Sequence, residues 1–111
     1  MNTEAPVDLT EQVTGARQLS EGGLRYLHIQ GLRLPPGSTP PITDGLLCLD
    51  PRDGYPTRLF LADQINAPGK NLNWNGSTHV LGRNWVAISW SNVSNTQPAL
   101  QILLAHLDAF R

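Results

Sequence analysis

The stretch "PPGSTPP" at residues 35–41 constrains this chain more than any other, because four of its seven residues are proline. Each proline fixes φ and removes a backbone donor, so the stretch fits neither a helix interior nor a central strand. It reads as a rigid loop that follows a strand. Before it, "LRYLHIQGLRL" at 24–34 sets Leu24, Tyr26 and His28 opposite Arg25, Leu27 and Ile29, the alternation of a strand. After it, "DGLLCLDP" at 44–51 and "TRLFLADQI" at 57–65 are apolar runs bounded by turn residues, with "PRDGYP" as the turn between them.

The alternation returns in "NWVAISWSN" at 84–92. Val86, Ile88 and Trp90 point one way there, and Trp85, Ala87, Ser89 and Ser91 the other. The stretch ahead of it, "NAPGKNLNWNGSTHVLGRN" at 66–84, is nineteen residues of mainly polar and turn-forming types, and ordered loops of that length are often functional. The C-terminus carries the clearest helix. Thr96 is placed to cap, Pro98 falls in the first turn, and Leu100, Leu103, Leu104, Leu107 and Phe110 recur at helical spacing. That stripe packs on a sheet and leaves Gln101, His106, Asp108 and Arg111 toward water or the sheet edge. Residues 1–23 are weakly defined: a helical signal over 7–19 is interrupted by Gly15, and "EGG" at 21–23 either closes it or turns it into a hairpin.

At 111 residues the chain is expected to form one domain over 1–111, with enough burial for a single core. Eight basic against nine acidic residues give a formal charge of −1, so nothing electrostatic points to nucleic acid or an anionic membrane. Cys48 is the one cysteine, which excludes an intramolecular disulfide and a cysteine-pair zinc site and suits a reducing compartment. No metal or cofactor motif is present. The N-terminus "MNTEAPVDLTEQ" has neither the basic start nor the apolar run of a signal peptide, and no stretch is apolar enough to span a bilayer, so the expected location is cytoplasmic.

The segment "GLLCLDPRDGYPTRLFLADQI" resembles the third strand, tight turn and fourth strand of ubiquitin-conjugating enzymes, with Pro51, Asp53, Tyr55 and Pro56 as its signature. "GRNWVAISWSNVSNTQPALQILLAHL" is similar to the region that in those enzymes holds the catalytic cysteine and a proline-started helix. The likeness covers about 24–111 and is nearest to the small prokaryotic branch of the superfamily, found in bacterial conjugation operons, among them antiviral defence operons. It implies an α+β fold, an antiparallel meander of about four strands with the C-terminal helix packed on it. Core positions are then expected at Leu47, Leu49, Leu59, Leu61, Leu100, Leu103, Leu104 and Leu107. It also implies partners: a ubiquitin-like β-grasp protein, an activating enzyme, and a metalloprotease deconjugase of the same operon. The family's His-Pro-Asn motif has no counterpart here, and no cysteine stands at the nucleophile position.

Ser89 falls where the resemblance implies the cysteine, and Ser91 shares its face. A serine needs a neighbouring base, and His79 is the candidate nearest in sequence, with His28 and His106 on other elements. Asn73, Asn75 or Asn84 would supply an amide to a developing oxyanion, as the family's asparagine does. Trp74, Trp85 and Trp90 read as core or sheet-covering residues, and Trp74, in the loop, is also the candidate partner anchor. Each has a plainer alternative: a strand serine usually bonds backbone, a loop histidine is usually solvated, and Cys48 between Leu47 and Leu49 reads as a buried apolar residue. Two functions are therefore open. One is an acyl carrier that accepts a ubiquitin-like C-terminus on serine as an oxyester; the other is an inactive scaffold of the same fold that binds the ubiquitin-like protein or its activating enzyme.

Overall fold

The computed structural model describes residues 9–67, 69, 72–90 and 93–110. A short helix α1 (Leu9–Thr14) leads into strands β1 (Arg17–Glu21), β2 (Leu24–Arg33), β3 (Ile42–Cys48) and β4 (Arg58–Leu61). The chain continues through β5 (Thr78–Val80), β6 (Arg83–Trp85) and helix α2 (Ala99–Leu107), which ends in a 3₁₀ turn (Asp108–Phe110). β1 to β4 pair antiparallel in sequence order, and β5 and β6 form a separate two-stranded ribbon. The protein is thus α+β, a four-stranded antiparallel sheet with the C-terminal helix packed on it. No helix among the described residues is long and apolar enough to cross a membrane.

Both faces of the sheet are covered. On the helix face, Leu27, Ile29, Leu47, Leu59 and Leu61 join Ile102, Leu103, Leu107 and Phe110 in one buried cluster. On the ribbon face, Tyr26, Leu46, Cys48 and Phe60 meet Val80, Trp85 and Ala87. This double cover explains why Leu46, Leu47 and Cys48, like Leu59, Phe60 and Leu61, run apolar without a polar break: neither face has to meet water. The alternation is realised in the same way over 85–88. Trp85 and Ala87 enter the ribbon-face cluster, while Val86 and Ile88 pack with the helix-face one.

One departure from strict alternation positions the core. Ile29 pairs with Gly45 but Leu32 with Thr43, so Gln30 and Gly31 stand opposite the single residue Asp44. The extra residue returns Leu32 to the helix face beside Ile29, where it is fully buried. Gly31 takes φ +68°, and Asp44 Oδ1 accepts its N–H at 2.9 Å. That bond is the leading cause holding the Asp44 carboxyl below its ordinary pKa, ahead of the pull of Arg83.

Three tight reversals share one turn type, with positive φ at both central residues: Gly22–Gly23, Asp53–Gly54 and Leu81–Gly82. The first settles the N-terminal ambiguity as a hairpin. The helix therefore ends at Thr14, rather than running to 19, because residues 17–21 gain a full ladder to β2 that a marginal helix cannot match. The third corrects the reading of 66–84 as uninterrupted loop: its second half is the β5–β6 ribbon. Arg83 clamps that ribbon through Asp44 at 3.2 Å and stacks over the Trp85 ring, and Glu21 accepts the Leu81 N–H.

α2 is rotated from the expected stripe. Its inward face is Ile102, Leu103, His106 and Leu107, whereas Leu100 and Leu104, and Leu49 after β3, are only half-buried. His106 was expected toward water and is 3 % exposed. Thr96 does not cap the helix: Ser94 Oγ accepts the Thr96 N–H, and Pro98 holds the cap position in extended backbone with no side-chain cap. Trp90, expected among the core or sheet-covering residues, is 38 % exposed, its indole N–H donating to the Ala105 carbonyl at 3.0 Å. Arg111 and Ser91 lie outside the described residues.

Candidate functional site

Ser89 is placed by backbone pairing. Trp74 bridges Ile88, the Asn75 N–H donates to Ala87 O at 2.7 Å, and the Ser89 N–H donates to Asn73 O at 2.9 Å. The first half of the polar loop thus lies antiparallel to residues 87–89. On the other side Val86 and Leu61 exchange both backbone bonds, which ties the segment to the edge of β4.

The side chain of Ser89 belongs to a chain of hydrogen bonds that starts at a buried charge. Asp53 Oδ2 accepts from Arg58 Nη1 at 2.6 Å, Arg58 Nη2 donates to Asn75 Oδ1, and Asn75 Nδ2 donates to Ser89 Oγ at 3.0 Å. Because the Asn75 oxygen is held by a guanidinium, its amide can offer Ser89 only a donor. The serine hydroxyl is an acceptor in this chain, and its own proton is directed elsewhere. Ser89 itself is exposed.

Arg58 is the residue that sequence reasoning passed over. Its side chain is 6 % exposed at the end of the ribbon face, with the guanidinium over the rings of Tyr55 (4.5 Å) and Phe60 (5.4 Å). Arg52 lies over the same Phe60 ring at 5.7 Å, donates to the Tyr26 hydroxyl at 3.0 Å, and approaches Asp53 at 3.3 Å. The signal was available: a cation in "TRLFLA", inside a run otherwise apolar at every strand position, has to be paired. It also accounts for the hydroxyl on the Trp85 and Ala87 face. That face ends in a guanidinium, and polar residues gather around it.

The other sequence candidates fall elsewhere. His79 is exposed on β5 and its Nδ1 lies 3.1 Å from Oδ1 of Asn84, so those two meet each other. No hydrogen bond among the described residues joins His79 to Ser89. His28 lies edge-on to Trp85, with Nε2 3.9 Å from Asp44. Asn73 reaches Ser89 through its backbone carbonyl. Trp74 is half-buried against the helix-face cluster. Cys48 is fully buried and its Sγ donates to Asp50 O at 3.2 Å; burial pushes its thiol pKa up, away from reactivity.

His106 and Thr57 form a second polar pair, 2.9 Å apart beneath α2. Thr57 Oγ1 donates to the Val93 carbonyl at 2.8 Å, so its one proton is used and His106 must donate from Nε2. Both residues are almost fully buried, and burial, followed by the charge of Arg58, lowers the imidazole pKa to about 4. The pair has the atoms of a hydroxyl and its base, but the ring is the donor and neither reaches solvent.

Cavities of about 330 Å³, walled in part by Gln18, Leu19, Arg25 and Leu49, and about 440 Å³, walled in part by Gln12, Arg17 and His28, open on the β1 and β2 side. Ser89 lines neither. Among the described residues no group of three or more His, Cys, Asp or Glu side chains is placed to hold a metal ion. Comparison of the chain with protein-family models, with curated proteins and with solved structures finds no match.

Proposed function

We propose that the chain is a ubiquitin-conjugating-like scaffold of a bacterial conjugation pathway, binding a ubiquitin-like β-grasp protein or its activating enzyme in the cytosol without carrying the acyl group itself. One observation carries the preference for scaffold over carrier: the neighbour held against Ser89 Oγ is a hydrogen-bond donor, the Asn75 amide fixed by Arg58, where a nucleophile needs an acceptor for its proton. The pathway rests on the order of the sequence motifs, above all Pro51, Asp53, Tyr55 and Pro56 ahead of β4 and the proline-started helix at the end. The turn that carries this signature also holds Asp53 against Arg58. A metalloprotease deconjugase of the same operon belongs to this reading as a functional neighbour.

The acyl-carrier reading keeps one point in its favour, the exposure of Ser89. Incubation with the host's activating enzyme, ATP and ubiquitin-like protein separates the two. The scaffold binds and forms no adduct, and Ser89→Ala leaves its affinity unchanged. An adduct that survives thiol reductant, is cleaved by hydroxylamine and disappears in Ser89→Ala would overturn the scaffold and establish the carrier. Trp74→Ala is expected to weaken binding by about 2 kcal/mol or more if this residue anchors the partner.

A further inference from the structure

β1 is the terminal strand of the meander, and among the described residues nothing pairs with its outer edge. Its sequence is Arg17-Gln18-Leu19-Ser20-Glu21, and all but Leu19 are exposed. The two-residue turn at Gly22–Gly23 makes Glu21 and Leu24 a hydrogen-bonded pair, so by alternation Leu19 and Arg17 also bond toward β2. The N–H and C=O groups of Gln18 and Ser20 therefore point away from the sheet. An exposed row of this kind is a template for another strand unless the sequence opposes it.

This sequence does not oppose a copy of itself. We infer that the outer edge of β1 binds β1 of a second copy of this chain, antiparallel about a two-fold axis through Leu19, joining two four-stranded sheets into one of eight. In that register Gln18 faces Ser20 of the second copy, the one arrangement in which all the outward backbone groups are matched. Leu19 meets its own equivalent, and Arg17 meets Glu21 at both ends, with Cα atoms about 4.5 Å apart as in non-hydrogen-bonded pairs. Arg17, Leu19 and Glu21 share the ribbon face, so each cross-strand pair is on one side of the joined sheet. The same charges that would repel a parallel or shifted copy select this register. Two five-residue strands make a small interface, and the dimer is weak and concentration-dependent. The inference does not rest on the conjugation reading.

Sedimentation equilibrium over a wide concentration range tests it. The wild-type chain is expected to reach a dimer. Arg17→Glu sets Glu against Glu21 at both ends, and Glu21→Arg sets Arg against Arg17, so each variant alone stays monomeric. An equimolar mixture of the two restores every pair and gives a heterodimer. Since Glu21 also accepts the Leu81 N–H, the mixture is decisive: a folding defect in either variant would not be repaired by adding the other. Leu19→Cys is expected to oxidise to a disulfide-linked dimer, while Gln18→Cys, which would face Ser20, does not. A wild-type chain that is monomeric at every concentration overturns the inference, as would occur if the edge accepted a strand only from a different protein. So would a dimer indifferent to Arg17→Glu, or equal cross-linking by the two cysteine variants.

Discussion

Nε2 of His106 donates to the hydroxyl of Thr57 across 2.9 Å, both side chains being buried. The Thr57 hydroxyl in turn donates a hydrogen bond to the carbonyl of Val93, so a strand start, a helix and the segment before that helix are tied at one buried point. The arrangement requires a neutral ring, because an imidazolium there would be desolvated and would face Arg58.

This sets a pH dependence. The folded pKa of His106 is lowered to about 4, against about 6.5 in an unfolded chain, so the unfolded state binds the extra proton between those values. The contribution to stability is fully present above pH 6.5 and is lost as pH falls toward 4, amounting to about 3 kcal/mol. Urea denaturation at pH 7 and pH 4.5 should show the loss. His106→Gln, which can still donate to Thr57 but cannot titrate, should remove most of the slope in that window.

Arg58→Ala is expected to cost about 2–4 kcal/mol, since Asp53 and Asn75 lose their donor and the Tyr55 and Phe60 rings lose the group between them. Arg58→Lys should recover only part of this, a point charge being unable to serve Asp53 and Asn75 at once while stacking. The Asn75 side-chain amide and the Ser89 backbone amide should shift together in an NMR spectrum of either variant. If they stay fixed, the hydrogen-bond chain to Ser89 is not what positions it.

The rotation of α2 makes neighbouring leucines unequal. Leu103 is fully buried, and Leu103→Ala should cost about 2–5 kcal/mol. Leu104 is half-buried, and Leu104→Ala should cost about 1 kcal/mol. Equal melting temperatures for the two variants would place the inward face of the helix back at the Leu100 and Leu104 stripe.

Gly54 takes φ +86° with open space around the position a Cβ would occupy. Gly54→Ala therefore meets no clash, and its cost is that of the left-handed backbone alone, about 1–2 kcal/mol. A shift of about 4 °C in the melting midpoint per kcal/mol is expected for a domain of this size. Because Asp53 sits at φ +56° in the same turn and holds Arg58, a larger loss would mean that the turn and the Arg58 network fail together.

Local patterns in the sequence determined the elements that depend on near neighbours. The proline stretch, the strands around Tyr26, Leu47 and Leu59, the turn at Asp53–Gly54, and a C-terminal helix are all written in periods of two or 3.6 and in turn chemistry, and these form within a few residues of chain. Three strands of the four-stranded meander, β2, β3 and β4, and the helix that covers it follow from their order. The tertiary structure decided everything that needed a partner far along the chain. Residues 17–21 became strand because β2 lay within reach of a glycine turn, and Leu32 changed face because a bulge opposite Asp44 slipped the parity. His106 went inward because Thr57, 49 residues away, could accept its proton. Arg58 could lie beneath the surface because Asp53, Asn75 and two rings converge on it. A buried polar group is stable only when its partners arrive, and no spacing along the chain states which distant residue will be that partner.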